Sequence, residues 1–365
     1  MTDLLPTVAR AVFQTEEVVT LEDLTAALTR KAKPRGYIGV EPTGLMHLGH
    51  TIWVQKLRTL SKLGVKMHVL LATWHAKIND KFGGNIDQIR RCAEYLRHCL
   101  SALGVNLREV RVVTAEDLMK KLEYWEDTLR VAKSLTLARV RRSMTIMGRS
   151  GEDVELDFSK LIYPCLQVSD IINQRFEICL GGMDQRRAHV LAREVADKLK
   201  LGWKPIGIHT PLVSGLSGTS RMEAGPHVSA EEVMIATKMS KSKPDDSILI
   251  HDLPKEIMKK LRNAYCPARE VNDNPVLSYV NHLLFSQEDY VFKIERAPKH
   301  GGSLSIRSCA ELRRLYASGE IHPLDLKQAT AKAIAKLLGP VRKYFDEKSE
   351  AKEILTEVSS YSVTR

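Results

Sequence analysis

Apolar and polar positions follow two periods along this chain. Short β-branched or apolar runs at Tyr37–Val40, Lys66–Ala72, Val110–Val113, Glu177–Leu180 and Ile206–Val213 predict strands. Between them the spacing is helical. TIWVQKLRTLSKLG follows the first strand, and Ile89, Ala93, Leu96, Leu100 and Leu103 form a stripe that Gly104 ends. Strand, helix, strand, helix, strand is the signature of a parallel α/β sheet.

The alternation is interrupted and flanked. A charged, mostly helical stretch from about Thr114 to Lys160 reads as an insertion in a Rossmann-like sheet. Residues 1–34 read as a helical extension, with Thr20 and Asp23 suited to a capping box ahead of Leu24, Ala27 and Leu28. After residue 250 the character changes. LPKEIMKKLRNAYC and Pro323–Phe345 are amphipathic and basic, and loops containing Asn274-Pro275 and Gly301-Gly302 separate them. The expected organisation is therefore an extension (1–34), an α/β domain (35–250) and a small C-terminal helical domain (251–365).

Two stretches suggest chemistry. YIGVEPTGLMHLGH, residues 37–50, predicts a strand, a Glu-Pro-Thr-Gly turn and a helix opening near His47. Free N–H groups and the helix dipole make such a turn an anion seat, here lined by Thr43, Gly44, His47, Gly49 and His50. His47 and His50 are three apart, which would put both imidazoles on one face of the first turn, and Gly49 lets a flat ring approach the backbone. Neither a Walker loop nor GxGxxG is present. A metal site or ordinary surface histidines are the competing readings of the pair, but zinc takes about four ligands and no suitably spaced Cys or third His stands nearby. The second stretch is YPCLQVSDI. Tyr163, Gln167 and Asp170 fall at i, i+4 and i+7 on one face of a helix, a row of polar groups that suggests a lined pocket. Gln185 and Arg186 open a further strand-to-helix turn. Parallel sheets bind ligands at the carboxyl ends of their strands, so these turns are expected to share one crevice.

Composition adds three points. At 365 residues and 44% hydrophobic content the chain can bury a sizeable core, and a net charge of +11 suits a polyanionic partner. Arg139, Arg141 and Arg142 form a basic cluster that fits either a solvated helix face or an RNA contact. The six cysteines form no CxxC pair and read as thiols in a reducing compartment; a charged N-terminal stretch and the lack of a spanning apolar run complete the expectation of a cytoplasmic protein with no membrane segment.

HxGH followed by KMSKS, Lys238–Ser242, resembles the two signatures of the class I aminoacyl-tRNA synthetases. YIGVEPTG, LLATWHA, YPCLQVSDI, GGMDQRRAHVLARE, KMSKSKPDDSI, AYCPA and IHPLDLK are similar to the tyrosyl members of archaeal and eukaryotic type, over most of the chain. That resemblance implies activation of L-tyrosine by ATP, with Mg²⁺ as counterion, and transfer of tyrosine to its tRNA by a homodimer. It implies catalytic roles for His47, His50, Lys238 and Lys241. Lys238, Met239, Ser240, Lys241 and Ser242 would join the HxGH turn around ATP. Tyr37 and Asp170 would hold the phenol hydroxyl, and Tyr163, Gln167 and Gln185 the α-amino group. Arg142 and Arg186 would read the first base pair of the acceptor stem, and His300 and Asp325 the first anticodon base in the C-terminal domain. The chemistry agrees: a phenol hydroxyl is one donor and one acceptor, which a carboxylate and a tyrosine satisfy together.

Three positions depart from the family pattern. Thr73 stands where aspartate is common, His300 where archaeal members can carry a stacking aromatic, and residues 214–237 are longer than in many archaeal members. Two alternatives compete with this reading. A tryptophanyl enzyme shares both motifs, but an indole offers only a donor and has no need of Tyr37 opposite Asp170. A non-catalytic RNA-binding protein on this fold would be expected to have lost HxGH or KMSKS.

Overall fold

The computed structural model describes residues 5–147, 157–218, 239 and 246–362. They pack as two units, one comprising Met1–Gly44, Trp53–Thr210 and Glu350–Arg365, the other Leu45–Ile52 and Pro211–Ser349. Packing thus divides the chain at points other than the expected boundaries after residues 34 and 250.

Along the chain, α1 (Pro6–Val12), β1 (Glu17–Val19) and α2 (Leu21–Thr29) precede β2 (Arg35–Val40) and α3 (His50–Lys62). β3 (Lys66–Leu71) leads through α4 (Thr73–Ile78) and α5 (Ile86–Ala102) to β4 (Arg111–Thr114). The expected insertion contains α6 (Ala115–Met119), α7 (Leu122–Ser134) and α8 (Leu137–Ser143). Then α9 (Ser159–Asn173) returns the chain to β5 (Ile178–Gly182), α10 (Arg186–Lys198) and β6 (Ile206–Thr210).

Among the described residues these strands form one sheet in the order β1-β6-β5-β2-β3-β4, parallel except for β1. From β2 the chain moves outward through β3 and β4, then crosses back to β5 and continues to β6 on the other side. The strand order therefore reverses between β2 and β5, the switch point where sheets of this kind open a crevice. Tyr37, Leu70, Tyr124, Leu166, Ile171, Phe176, Leu191 and Val195 belong to one buried cluster of this unit. The Tyr37 and Phe176 rings stack at 5.0 Å and 2°.

Before residue 35 the sequence predicts only helix. Thr20 does cap α2, accepting from the Asp23 N–H at 3.2 Å. The strand β1 is the difference: its three residues are too few to show a period, and it exists because Val18 pairs across from Ile208 on β6.

The second unit holds α11 (Pro254–Asn263), α12 (Pro275–Tyr279), β7 (Phe292–Ile294), β8 (Leu304–Ile306), α13 (Cys309–Ser318), α14 (Pro323–Leu337) and α15 (Gly339–Glu347). The expected helices are present. They are joined by an antiparallel ribbon of β7 and β8, also too short for a legible period, whose connection carries Gly301 and Gly302 at positive φ. The last helix, α16 (Ser349–Ser359), belongs to the first unit, where Arg91 pairs with Glu357 at 2.6 Å.

Candidate functional site

In the first unit the switch point gathers polar side chains from β2, α4, α7, α9 and the turn after β5. Asp170, on α9, is buried and accepts from the Tyr124 hydroxyl of α7 at 2.7 Å. Its other carboxylate oxygen lies 3.1 Å from His75 Nε2, an ion-pair distance, although neither ring nitrogen of His75 meets hydrogen-bond geometry. Burial pushes the His75 pKa down, but the carboxylates of Asp170 and then Glu41 outweigh it and raise the value above its usual one. Burial, and then the same Asp170, push the Tyr124 phenol well up.

One helical turn before Asp170, Gln167 donates to Gln185 Oε1 at 2.9 Å and sends its own Oε1 to a buried spot with no hydrogen-bond partner. One further turn back, the Tyr163 hydroxyl donates to Glu41 at 2.7 Å, and the Asn79 amide reaches the same carboxylate at 3.2 and 3.3 Å. The His75 ring meets Tyr163 edge-on at 5.2 Å and 88°. Tyr37 is buried beside this row, its pKa raised by burial, then by Cys179 and Asp170. The expected row Tyr37, Tyr163, Gln167, Asp170 and Gln185 is thus gathered in one unit.

Sequence reasoning missed Glu41, His75, Asn79 and Tyr124. Glu41 and His75 stand inside stretches already singled out, the turn after β2 and LLATWHA, so a search for charge partners of the row could have raised them. Tyr124 gave no signal: it is one tyrosine in a charged insertion, and only the packing of α7 against α9 brings it to Asp170. Thr73 also finds its explanation. Its hydroxyl donates to Glu116 of α6, which Arg90 pairs at 3.2 Å, so a carboxylate reaches this spot from a neighbouring helix.

Behind the row runs a buried chain. Burial, followed by the neighbouring His209, drives the His189 pKa well below its usual value, and burial lowers that of His209 despite Glu17, so both imidazoles are neutral. His209 Nδ1 donates to Glu17 at 3.0 Å, which leaves its Nε2 to accept from His189 Nδ1, also at 3.0 Å. Glu17 in turn accepts from Arg186 Nε at 2.8 Å. Burial pushes the Glu17 carboxyl up, but the Arg186 guanidinium and His209 bring it below its usual value. Gly207 makes room: a Cβ there would stand 2.8 Å from the His209 ring. Arg186 therefore holds a carboxylate in this structure, while Arg142 is exposed on α8, and Arg139 is occupied by Glu194 at 2.8 Å. In the same unit Gly44 has φ +106° and donates its N–H to Cys92 Sγ at 3.1 Å, which fixes the turn that also contains Thr43.

In the second unit the HxGH stretch departs from expectation. The helix does not open near His47: α3 begins at His50, and His47 sits in a bridge opposite Leu249. Leu48 N–H donates to Ile248 O at 2.7 Å and Ile250 N–H to Met46 O at 3.0 Å. Pairing with a segment this distant in sequence holds His47 extended, so the two imidazoles do not share a helical turn. They are nonetheless close, 3.9 Å between centroids at 52°. Gly49 does admit a ring, and the ring is that of His47: a Cβ would lie 3.1 Å from it.

Met239 is buried and donates its N–H to Val213 O at 2.8 Å. Lys238, Ser240, Lys241, Ser242 and most of the 214–237 stretch lie outside the described residues. Asp325 stands in the first turn of α14, where its charge suits the helix dipole, and His300 is exposed at the β7–β8 connection. The six cysteines are free thiols, and among the described residues no helix is long and apolar enough to cross a membrane.

The chain is similar to known proteins over most of its length. Residues 29–224 and 234–339 match the family of class I tRNA synthetases (W and Y). The tyrosine–tRNA ligase of Sulfurisphaera tokodaii is 48% identical over 96% of this chain and 95% of its own length. That of Aeropyrum pernix is 47% identical over 90% of each. Among solved structures, the tyrosyl-tRNA synthetase of Pyrococcus horikoshii complexed with L-tyrosine superposes with a TM-score of 0.88 at 39% identity. It covers 96% of this chain and 99% of that one.

Proposed function

The chain belongs to the class I tRNA synthetases of the W and Y group, as a tyrosine–tRNA ligase, and from that premise we propose how its residues divide the work. The reaction has two steps. The tyrosine carboxylate attacks the α-phosphorus of ATP and expels pyrophosphate; the terminal ribose hydroxyl of the tRNA then attacks the carbonyl of the mixed anhydride and AMP leaves. The readings of a tryptophan enzyme or a non-catalytic relative have no support among relatives of this similarity.

The pocket at the switch point carries the substrate assignment. At one end is a buried carboxylate, Asp170, whose Oδ1 accepts from Tyr124 and whose Oδ2 lies close to His75. At the other are the orphaned Gln167 Oε1, the Tyr163 oxygen and the Glu41 carboxylate. A phenol hydroxyl suits the first end and an ammonium the second, with Tyr37, close enough to Asp170 to feel its charge, at the phenol end. Gln185 aligns Gln167 through its amide. The orphaned acceptor supports the reading most directly, because a buried acceptor without a donor is costly and an ammonium would supply one.

ATP is placed at the HxGH turn. His47 and His50 donate to its phosphates, with Gly49 shaping the turn. On sequence alone, Lys238 and Lys241 neutralise the departing pyrophosphate, with Ser240 and Ser242 beside them; buried Met239 anchors their loop. Among the described residues no group of three or more His, Cys, Asp or Glu could hold a metal ion. Mg²⁺ bound largely by nucleotide phosphates needs no such cage, and no step here is assigned to it.

Arg142 and Arg186 contact the acceptor stem, and His300 and Asp325 the anticodon, within a C-terminal region beginning near residue 251. The cytoplasm suits the free thiols. A second copy of the chain packs on α7, where Leu122, Trp125 and Leu129 form an exposed apolar stripe opposite the buried Tyr124, Thr128 and Val131.

The test is Asp170→Ala, assayed by ATP–pyrophosphate exchange with tyrosine and phenylalanine. Loss of a charged hydrogen bond to the hydroxyl is worth roughly 10- to 100-fold in the ratio of kcat/KM values. A variant that kept the wild-type ratio would refute the pocket assignment.

A further inference from the structure

The two oxygens of Asp170 face different elements. Oδ1 is taken by Tyr124 of the insertion helix α7, and Oδ2 faces His75 of α4. All three residues are buried, and the two partners reach Asp170 from two different helices, α7 and α4. A carboxylate has about four acceptor positions, so after these contacts it still has room for a further donor. The direction in which that donor must come is set by the groups already in place.

We propose that Tyr124 and His75 are positioning residues for Asp170, and that selectivity for a phenolic over a plain aromatic amino acid depends on both of them. The inference rests on the reading of Asp170 as the hydroxyl acceptor. Tyr124 acts by a directed hydrogen bond, which fixes the rotation of the carboxylate. His75 acts by proximity, since its Nε2 stands 3.1 Å from Oδ2 without aligned hydrogen-bond geometry and its ring limits where that oxygen can turn. It also touches Tyr163 edge-on and feels the Glu41 carboxylate, so it lies between the hydroxyl end and the ammonium end. A carboxylate released from either partner could turn to another donor, water included. The absence of a substrate hydroxyl would then leave it less exposed to an unmet demand, and phenylalanine would be penalised less.

Three variants separate the possibilities: Tyr124→Phe, which deletes one oxygen and keeps the ring; His75→Gln, which keeps a polar side chain and removes the imidazole; and Asp170→Ala as reference. Exchange kinetics with tyrosine and phenylalanine, and thermal unfolding, are measured for each. The expected result is a roughly tenfold fall in the tyrosine-to-phenylalanine ratio of kcat/KM for Tyr124→Phe and for His75→Gln. It should come from a lower KM for phenylalanine together with a higher KM for tyrosine, kcat being little changed, and Asp170→Ala should lose more. If Asp170→Ala loses selectivity while both other variants keep it, the positioning role is overturned and the pocket reading stands. If all three keep it, both are wrong. Equal losses with tyrosine and phenylalanine would mean a merely structural role and also overturn the proposal. Should His75→Gln fail to fold, Tyr124→Phe alone decides, because its packing is retained.

Discussion

Gln167→Met gives a prediction in which stability and substrate binding move in opposite directions. In the free protein the Gln167 Oε1 is buried without a donor, while Nε2 donates to Gln185 at 2.9 Å. An unmet buried acceptor costs about 1–3 kcal/mol, and an ordinary hydrogen bond contributes about 1 kcal/mol. Methionine has nearly the same length and no polar demand, so it removes the penalty and the bond together. Gln185 is only partly buried and can turn to water. The variant should therefore be as stable as wild type or up to about 2 kcal/mol more stable. Tyrosine binding should suffer, because a hydrogen bond from an ammonium to this oxygen is worth about 1.5–3 kcal/mol, or roughly 10- to 100-fold in KM. The contact is the same before and during the reaction, so kcat should hardly change. Exchange kinetics and thermal unfolding with and without tyrosine read all three quantities, and the stabilisation given by saturating tyrosine should shrink with the affinity. A variant that unfolds several degrees early yet keeps its KM would show that Gln167 only packs.

Three other outcomes are expected. Arg186→Ala should narrow the preference for a C–G over a G–C first acceptor pair by about 1–3 kcal/mol in aminoacylation, leaving tyrosine activation intact; its half-buried pairing with Glu17 contributes about 1 kcal/mol or less to stability, and equal slowing of both transcripts would mark it as a phosphate contact. Leu122→Glu with Leu129→Glu should shift the chain to monomer in sedimentation, and an unchanged mass would remove α7 as the interface. Burial lowers His251 and His282 from 6.5 to about 4. Groups with depressed folded values stabilise fully above pH 6.5 and lose that contribution as pH falls toward 4, roughly 3 kcal/mol each when complete; urea titrations should show this slope flattened in His282→Leu, and an unchanged slope would discount that histidine.

The sequence by itself determined the elements whose pattern is long enough to repeat: the parallel strands, the helices between them, and the placing of Tyr163, Gln167 and Asp170 on one face of α9. It also carried the turn at Gly44 and the identity of the polar groups a tyrosine needs. What it left open was decided by segments distant in sequence. His47 lies outside α3 because residues 248–250 pair with its backbone. Asp170 has its orientation from Tyr124 and His75, 46 positions away in one case and on another helix in the other. Arg186 is held by Glu17 because β1 joins β6, although three residues carry no readable period. Periodicity records which face of an element is buried, since burial of apolar area is local to that face. It does not record what covers that face, and the partners of buried polar groups are fixed only when the covering element arrives.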